Sequence, residues 1–259
     1  MVLNQTSRKV GLARALSKLG YCSRSQAAEL IRAGRVRLNG NVRRDPETPV
    51  RVEKDHILVD GLAIDAPKKI YLMMNKPRGV VTTASDEKGR DTIYSVLEKS
   101  GEPLPWVAPV GRLDKASEGL LLLTNDSEWG SRVADPETHL EKIYHVQINS
   151  LADDKLLQAL VQRIRRDRET LGAVKANQLR AGTKNCWLEI VLDEGRNRQI
   201  RRMMEALGVE VLRLVRVAIG PLALGDLAKG ASRPLTAEEK ASMDCAMRNL
   251  SRATNRRDP

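Results

Sequence analysis

Apolar positions recur along this chain at two periods, and the switches between them mark out its elements. Near the N-terminus Leu12, Ala15, Leu16 and Leu19 fall three and four residues apart with Gly20 directly after them, which predicts a short helix with a glycine stop. A second helix is expected next: Ser23 and Gln26 are spaced for a capping box, Ala27, Leu30 and Ile31 form an apolar stripe, and Gly34 closes the run. Arg35-Val36-Arg37-Leu38 then alternates with period two, Asn39-Gly40 supplies a tight turn, and Val42 begins the return, so a hairpin is expected. His56 to Asp60 reads as a closing strand.

After the loop Asp45-Pro46-Glu47-Thr48-Pro49 and the linker Ala66-Pro67-Lys68-Lys69, the pattern lengthens. Strands are expected at 70–74, 79–83, 120–124, 141–148, 186–192 and 209–218, and helices at about 127–134, 153–164, 197–207 and 236–249. Several of these strands follow one another with no helix between them. That favours an α+β fold, with a mixed or antiparallel sheet flanked by helices, over a doubly wound one. The chain is accordingly read as a small helix-helix-hairpin domain over 1–65, a larger body over 66–250 and a basic tail over 251–259.

Composition narrows the classes. Hydrophobic residues make up 41% of the 259, enough for a packed core, whereas aromatics are 3% and Phe is absent, which argues against rows of stacking rings for single-stranded nucleic acid. Cys22, Cys186 and Cys245 are odd in number and widely separated, so neither a disulfide framework nor a zinc cluster is indicated. His56, His139 and His145 have no ligand spacing, and no metal is expected. The longest aliphatic run, Leu120 to Leu123, is too short to span a bilayer and no signal core follows Arg8 and Lys9, so a cytoplasmic protein is expected. No exposed heptad pattern argues for assembly, and a monomer is expected.

The net charge of +11 favours polyanionic partners, and its distribution is more informative. Residues 1–44 carry ten Lys and Arg against the single acid Glu29. With Arg24, Arg32, Arg35 and Arg37 outside the expected core, this unit would present guanidinium groups to phosphates, although an ordinary solvated surface has the same composition.

Three segments of the body could carry chemistry. Gly111-Arg112-Leu113-Asp114-Lys115-Ala116-Ser117-Glu118-Gly119 sets a carboxylate in a turn-like stretch before a buried strand; Asp114 is a candidate catalytic group or a simple turn cap. In Glu194-Gly195-Arg196-Asn197-Arg198-Gln199-Ile200-Arg201-Arg202-Met203-Met204, Asn197 can cap a helix that buries Ile200, Met203, Met204 and Leu207 and gathers Arg198, Arg201 and Arg202 on the opposite face. That face would bind phosphates, hold a carboxylate ionised, or lie solvated in salt bridges. Along Glu141-Lys142-Ile143-Tyr144-His145-Val146-Gln147-Ile148, residues Lys142, Tyr144, Val146 and Ile148 share a strand face, where Tyr144 is either core or a ring for a base to stack on.

Two resemblances join these pieces. Leu12 to Gly61, with Gly20-Tyr21-Cys22-Ser23-Arg24 and Gly34-Arg35-Val36-Arg37-Leu38-Asn39-Gly40, resembles the S4 RNA-binding domain. Asn75-Lys76-Pro77-Arg78-Gly79, Gly111-Arg112-Leu113-Asp114, Gly119-Leu120-Leu121-Leu122-Leu123-Thr124-Asn125-Asp126, Lys142-Ile143-Tyr144 and the arginine segment are together similar to the RsuA branch of pseudouridine synthases, in that family's order, with Ser117 where many members have Thr. The resemblance implies isomerisation of a uridine in ribosomal RNA, the large subunit favoured over the small, with no cofactor. It implies Asp114 as the catalytic carboxylate, Arg201 as the guanidinium that keeps it ionised, and Tyr144 stacked on the uracil. Ile200 would be an apolar wall, Arg198 or Arg202 would grip phosphate, and Arg112 would contact RNA or fix the loop. Two rivals stand beside this reading: a non-catalytic ribosome-binding protein, and a hydrolase pairing Asp114 with Glu118 or Asp126.

Overall fold

The computed structural model describes residues 9–64, 68–83, 89–99, 105–166 and 169–254. It contains two compact units, one built mainly on the residues up to Ile70 and the other on most of the remaining chain. The boundary expected near residue 65 lies outside the described residues.

The first unit opens with β1 (Val10–Gly11), α1 (Leu12–Lys18) and α2 (Arg24–Arg32), followed by β2 (Val36–Leu38), β3 (Asn41–Arg43), β4 (Pro49–Val50), β5 (Ile57–Val59) and β6 (Leu62–Ala63). The capping box of α2 is complete: the Gln26 backbone N–H donates to the Ser23 hydroxyl, and the Ser23 N–H donates to the Gln26 side chain at 3.0 Å. Asn39 and Gly40 both have positive φ, as a two-residue turn with the twist of its flanking strands requires, and they set the β2–β3 register of Val36 opposite Arg43. The sheet order is β3-β2-β5-β6. Leu12, Ala15, Leu16, Ala27, Ile31, Val36 and Val59 close its core, whereas Leu30, expected in the buried stripe, is only half-buried.

The second unit is organised on a nine-stranded mixed sheet. In chain order its elements are β7 (Tyr71–Lys76), α3 (Ile93–Glu98), β8 (Ala108–Val110), β9 (Glu118–Thr124), α4 (Ser127–Ala134), β10 (Lys142–Ile148) and α5 (Asp154–Val161). There follow the hairpin β11 (Ile164–Arg166) and β12 (Glu169–Leu171), then β13 (Lys175–Ala181), β14 (Cys186–Leu192), α6 (Gln199–Ala206), β15 (Val211–Ile219), β16 (Leu222–Ala223), β17 (Ser232–Pro234) and α7 (Ala237–Thr254). The sheet runs β13-β14-β10-β15-β9-β7-β17; β13 with β14, β14 with β10, β10 with β15 and β7 with β17 pair antiparallel, and β9 lies parallel to β15.

One face of β10 buries Lys142, Tyr144, Val146 and Ile148, the alternation expected from the sequence. Val146 and Ile148 join a core with Leu188, Ile190, Met203 and Met204. A second core gathers Met73, Leu120 and Leu122 from the sheet with Trp129, Val133, Met243 and Met247 from α4 and α7.

The strand expected at 79–83 does not form; Val81 makes only an isolated bridge to Thr92. Pro77 cannot donate, Gly79 turns with φ +94, and the Gly79 N–H donates to the carbonyl of Lys115 at 2.7 Å instead of joining a ladder. α7 continues past its expected end at 249 to Thr254, into the segment read from sequence as a basic tail.

Candidate active site

The site is built around a loop that is not free to move as a loop. Between β8 and β9 the segment 111–117 turns back on itself through a hydrogen bond from the Ser117 N–H to the Asp114 carbonyl at 2.9 Å. The amine of Lys76, fully buried at the end of β7, donates to the carbonyls of Pro77, Asp114 and Ser117 at 3.1, 3.2 and 2.9 Å. Thr82 gives its hydroxyl to the Leu113 carbonyl at 2.7 Å, and Gly79 holds Lys115. From α6, Arg201 donates to the Ala116 carbonyl at 3.1 Å and to the Val211 carbonyl at 3.2 Å. Loop carbonyls that would otherwise be solvated are therefore taken up by side chains from β7, the turn after it and α6.

This clamp presents the Asp114 carboxylate to a cavity of about 340 Å³, which Arg112, Lys142, Tyr144, Arg198, Ile200 and Arg216 also line. The guanidinium that reaches Asp114 is Arg198, at 3.5 Å, and not Arg201, the partner expected from sequence. The reason is local. Arg198, not Asn197, is the residue at the N-cap of α6, its backbone is left-handed with φ 49, and its half-exposed side chain extends to the loop. One turn into the helix, Arg201 is committed to loop carbonyls. Burial pushes its guanidinium below the usual value, as do the charges of Arg198 and Arg78, while Asp114 acts in the opposite sense.

Arg202, expected among the phosphate-binding residues, is instead joined to Glu169 of β12 at 2.6 Å. Of the other sequence-predicted residues, Tyr144 is 9% exposed and Ile200 is 3% exposed, and both reach the cavity wall, while Arg112 is exposed at its rim. Arg24, Arg32, Arg35 and Arg37 are exposed on the first unit. Arg35 forms a bidentate pair with Asp60, which leaves it less available to a phosphate than its three neighbours.

Three cations were not singled out from the sequence. Lys76 sits inside a motif whose role was unread, Lys142 was placed on the right face without a task, and Arg216 of β15 carried no local signal. Burial pushes the Lys76 amine down to about 8, partly opposed by the charges of Asp114 and Glu118.

The carboxylates of the hydrolase reading are otherwise engaged. Glu118, 1% exposed, takes both Nε and Nη2 of Arg213 at 3.1 and 3.3 Å and Lys229 at 2.5 Å. Burial raises its carboxyl, but these hydrogen bonds outweigh that and hold it below the usual carboxylate range. Asp126 pairs with Lys69 at 2.8 Å. Neither lines the cavity with Asp114.

Among the residues lining the cavity Asp114 is the lone carboxylate, beside one guanidinium and sharing the wall with a ring, an apolar side chain and buried cations, an arrangement that can supply a nucleophile or a base to a bound group. Comparisons with known proteins give the chain's relatives. Residues 70–206 match the family model described as RNA pseudouridylate synthase, and residues 10–57 match that of the S4 domain. The chain is 36% identical to a Bacillus subtilis protein named ribosomal large subunit pseudouridine synthase B, over 88% of this chain and 93% of that one. It is 37% identical to an uncharacterized RNA pseudouridine synthase of Aquifex aeolicus, over 91% and 94% of the two chains. A solved structure described as a pseudouridylate synthase superposes with a TM-score of 0.61 at 29% identity, covering 90% of this chain and 99% of the other.

Proposed function

Because the chain belongs to the RNA pseudouridylate synthase family, whose members turn uridine into pseudouridine, we propose that its substrate is a uridine of large-subunit ribosomal RNA and that Asp114 is the catalytic carboxylate. The observation that carries this reading is the Asp114 side chain, offered to the cavity from a clamped loop with Arg198 at 3.5 Å and with Tyr144 on the same cavity wall.

Isomerisation breaks the bond from ribose C1′ to uracil N1, turns the ring and rejoins it through C5. The C5 proton is lost and N1 gains one, so nothing is consumed and no cofactor is called for. The target must leave its stack to reach the cavity. Asp114 then attacks C1′ or removes a sugar proton, and Arg198 holds the carboxylate in place through their contact at 3.5 Å. Tyr144 stacks on the uracil, Ile200 bounds it, and Arg112 takes RNA at the rim. Arg201 acts as a positioning residue that fixes the loop. The S4-like unit, 1–65, grips structured RNA through Arg24, Arg32 and Arg37, and the body, 66–250, carries out the reaction. The protein works as a cytoplasmic monomer.

The test compares the protein with Asp114→Asn on unmodified ribosomal RNA, mapping pseudouridine by carbodiimide-dependent primer-extension stops. A single new stop made only by the parent, with RNA binding kept by the variant, is expected. Stops that persist without the carboxylate would remove Asp114 from the chemistry.

A further inference from the structure

The buried end of the cavity holds two cations that the reaction as described leaves unused. Lys142 and Tyr144 are neighbours on one face of β10, and Arg216 of β15 stands in register with Tyr144. Lys142 is 9% exposed and Arg216 is 6% exposed, and both line the cavity. Arg216 is anchored by its Nε, which donates to the Leu120 carbonyl at 2.8 Å, yet its Nη2 is buried with no hydrogen-bond partner among the described residues. An unpaired buried guanidinium nitrogen costs free energy unless a ligand completes it. Burial, and after it the charge of Arg216, push the Lys142 amine down, with Asp193 acting the other way. Asp193 thus offsets only part of the positive charge, and the Arg216 Nη2 is left without a partner where both side chains line the cavity.

We propose that Lys142 and Arg216 form an anion site that receives the carbonyl oxygens of the uracil and takes up its negative charge once the bond to ribose has broken. The inference rests on this cavity being the isomerising site. When C1′–N1 breaks, its electron pair leaves on the ring and spreads to the ring oxygens until C5 attacks C1′; cations fixed there favour the cleaved state over the bound uridine. A phosphate is the poorer fit. Both phosphates of a flipped nucleotide continue into the RNA strand and must stay at the mouth, where the exposed Arg112 and Arg198 lie. The base alone has no chain beyond it, and so it alone can reach the buried end.

Lys142→Met keeps the stem and removes the charge. With an RNA fragment containing the mapped uridine, its single-turnover rate at saturating enzyme should fall about 100-fold, as for the loss of one oxyanion donor, with the RNA Kd changed by less than about threefold. The loss in the rate of C1′–N1 cleavage should be smaller on the same fragment carrying 5-fluorouridine, which has no C5 proton to lose and so stops short of the final product, because the fluorine already stabilises the ring anion. Arg216→Lys should lose less than Arg216→Met; if neither folds, Lys142→Met decides the matter alone. A weakened Kd with an unchanged saturating rate would make the pair a phosphate grip and overturn the proposal. Equal losses on the two substrates would overturn it too, by leaving only a positional role. Conversion retained by Asp114→Asn would instead remove the premise about the site, an outcome separate from either of these.

Discussion

Lys76 points its amine at three carbonyl oxygens, and a protonated amine has three N–H bonds to give. Its folded-state value near 8 lies below the ordinary 10.5, so between those two the folded protein has lost a proton that the unfolded chain keeps. By linkage, this group's contribution to stability rises with pH across that window, while the loop loses one of three hydrogen bonds. Activity and stability should therefore part company: single-turnover rate falls with a midpoint near pH 8, and Lys76 contributes no loss of Tm over the same range. A rate that stays flat through the window would show that the loop does not depend on the third N–H. Gly119 makes a simpler demand. With φ +102 it faces the Arg216 backbone, where an added Cβ would meet the carbonyl oxygen and, at 2.8 Å, the nitrogen. Gly119→Ala should cost on the order of 3 kcal/mol, read as a lower urea midpoint, because the strain and the clash fall on backbone that cannot rotate away.

Elements were legible where their information is local. The capping box of α2 and the Asn39-Gly40 turn are each decided within four residues, and the sequence reading of both matches the structure. Segment 79–83 was misread because its deciding partner lies far away in sequence, Lys115 taking the Gly79 N–H, whereas the start of α6 was misread because the left-handed backbone of Arg198 puts that residue and not its neighbour Asn197 at the cap. The partner of Arg202 was hidden from sequence by distance, since Glu169 on β12 cannot be paired with it by helical spacing. α6 thus carries two different arginine tasks one turn apart, contact with the carboxylate and support of its loop. Arg201→Met should lower turnover by about 100-fold through a misplaced Asp114 while leaving RNA affinity nearly unchanged, because a shift of about an ångström at a reacting group costs that much. Arg198→Lys, which keeps a cation beside Asp114, should lose much less. A reversed ranking in single-turnover assays would return the pairing role to Arg201.

At the scale of the whole molecule, the order of motifs conveyed more than any one of them. Charge alone leaves residues 1–44 open between a polyanion-binding and an ordinary solvated surface, and the order of elements in the body favours a mixed or antiparallel sheet; the ion pairs of Glu118 with Arg213 and Lys229, like the convergence of Lys142 with Arg216, required the three-dimensional fold. Division of labour between an RNA-gripping unit and a reacting body has a measurable signature. Taking the arginines proposed to bind phosphate from the first should weaken binding without touching the chemical step, because a grip on the strand would be the same before and during reaction. Arg24→Ala with Arg32→Ala, both exposed and outside the core, should raise the RNA Kd and make the slope of log K against log salt shallower by about 0.7 to 0.9 for each phosphate no longer neutralised. The single-turnover rate at saturating enzyme should stay at the parent value. Arg35→Ala should change the salt slope less, since Asp60 already neutralises that guanidinium. If the double variant instead lowers the saturating rate with an unchanged salt slope, the first unit is shaping the reacting complex and not simply holding RNA.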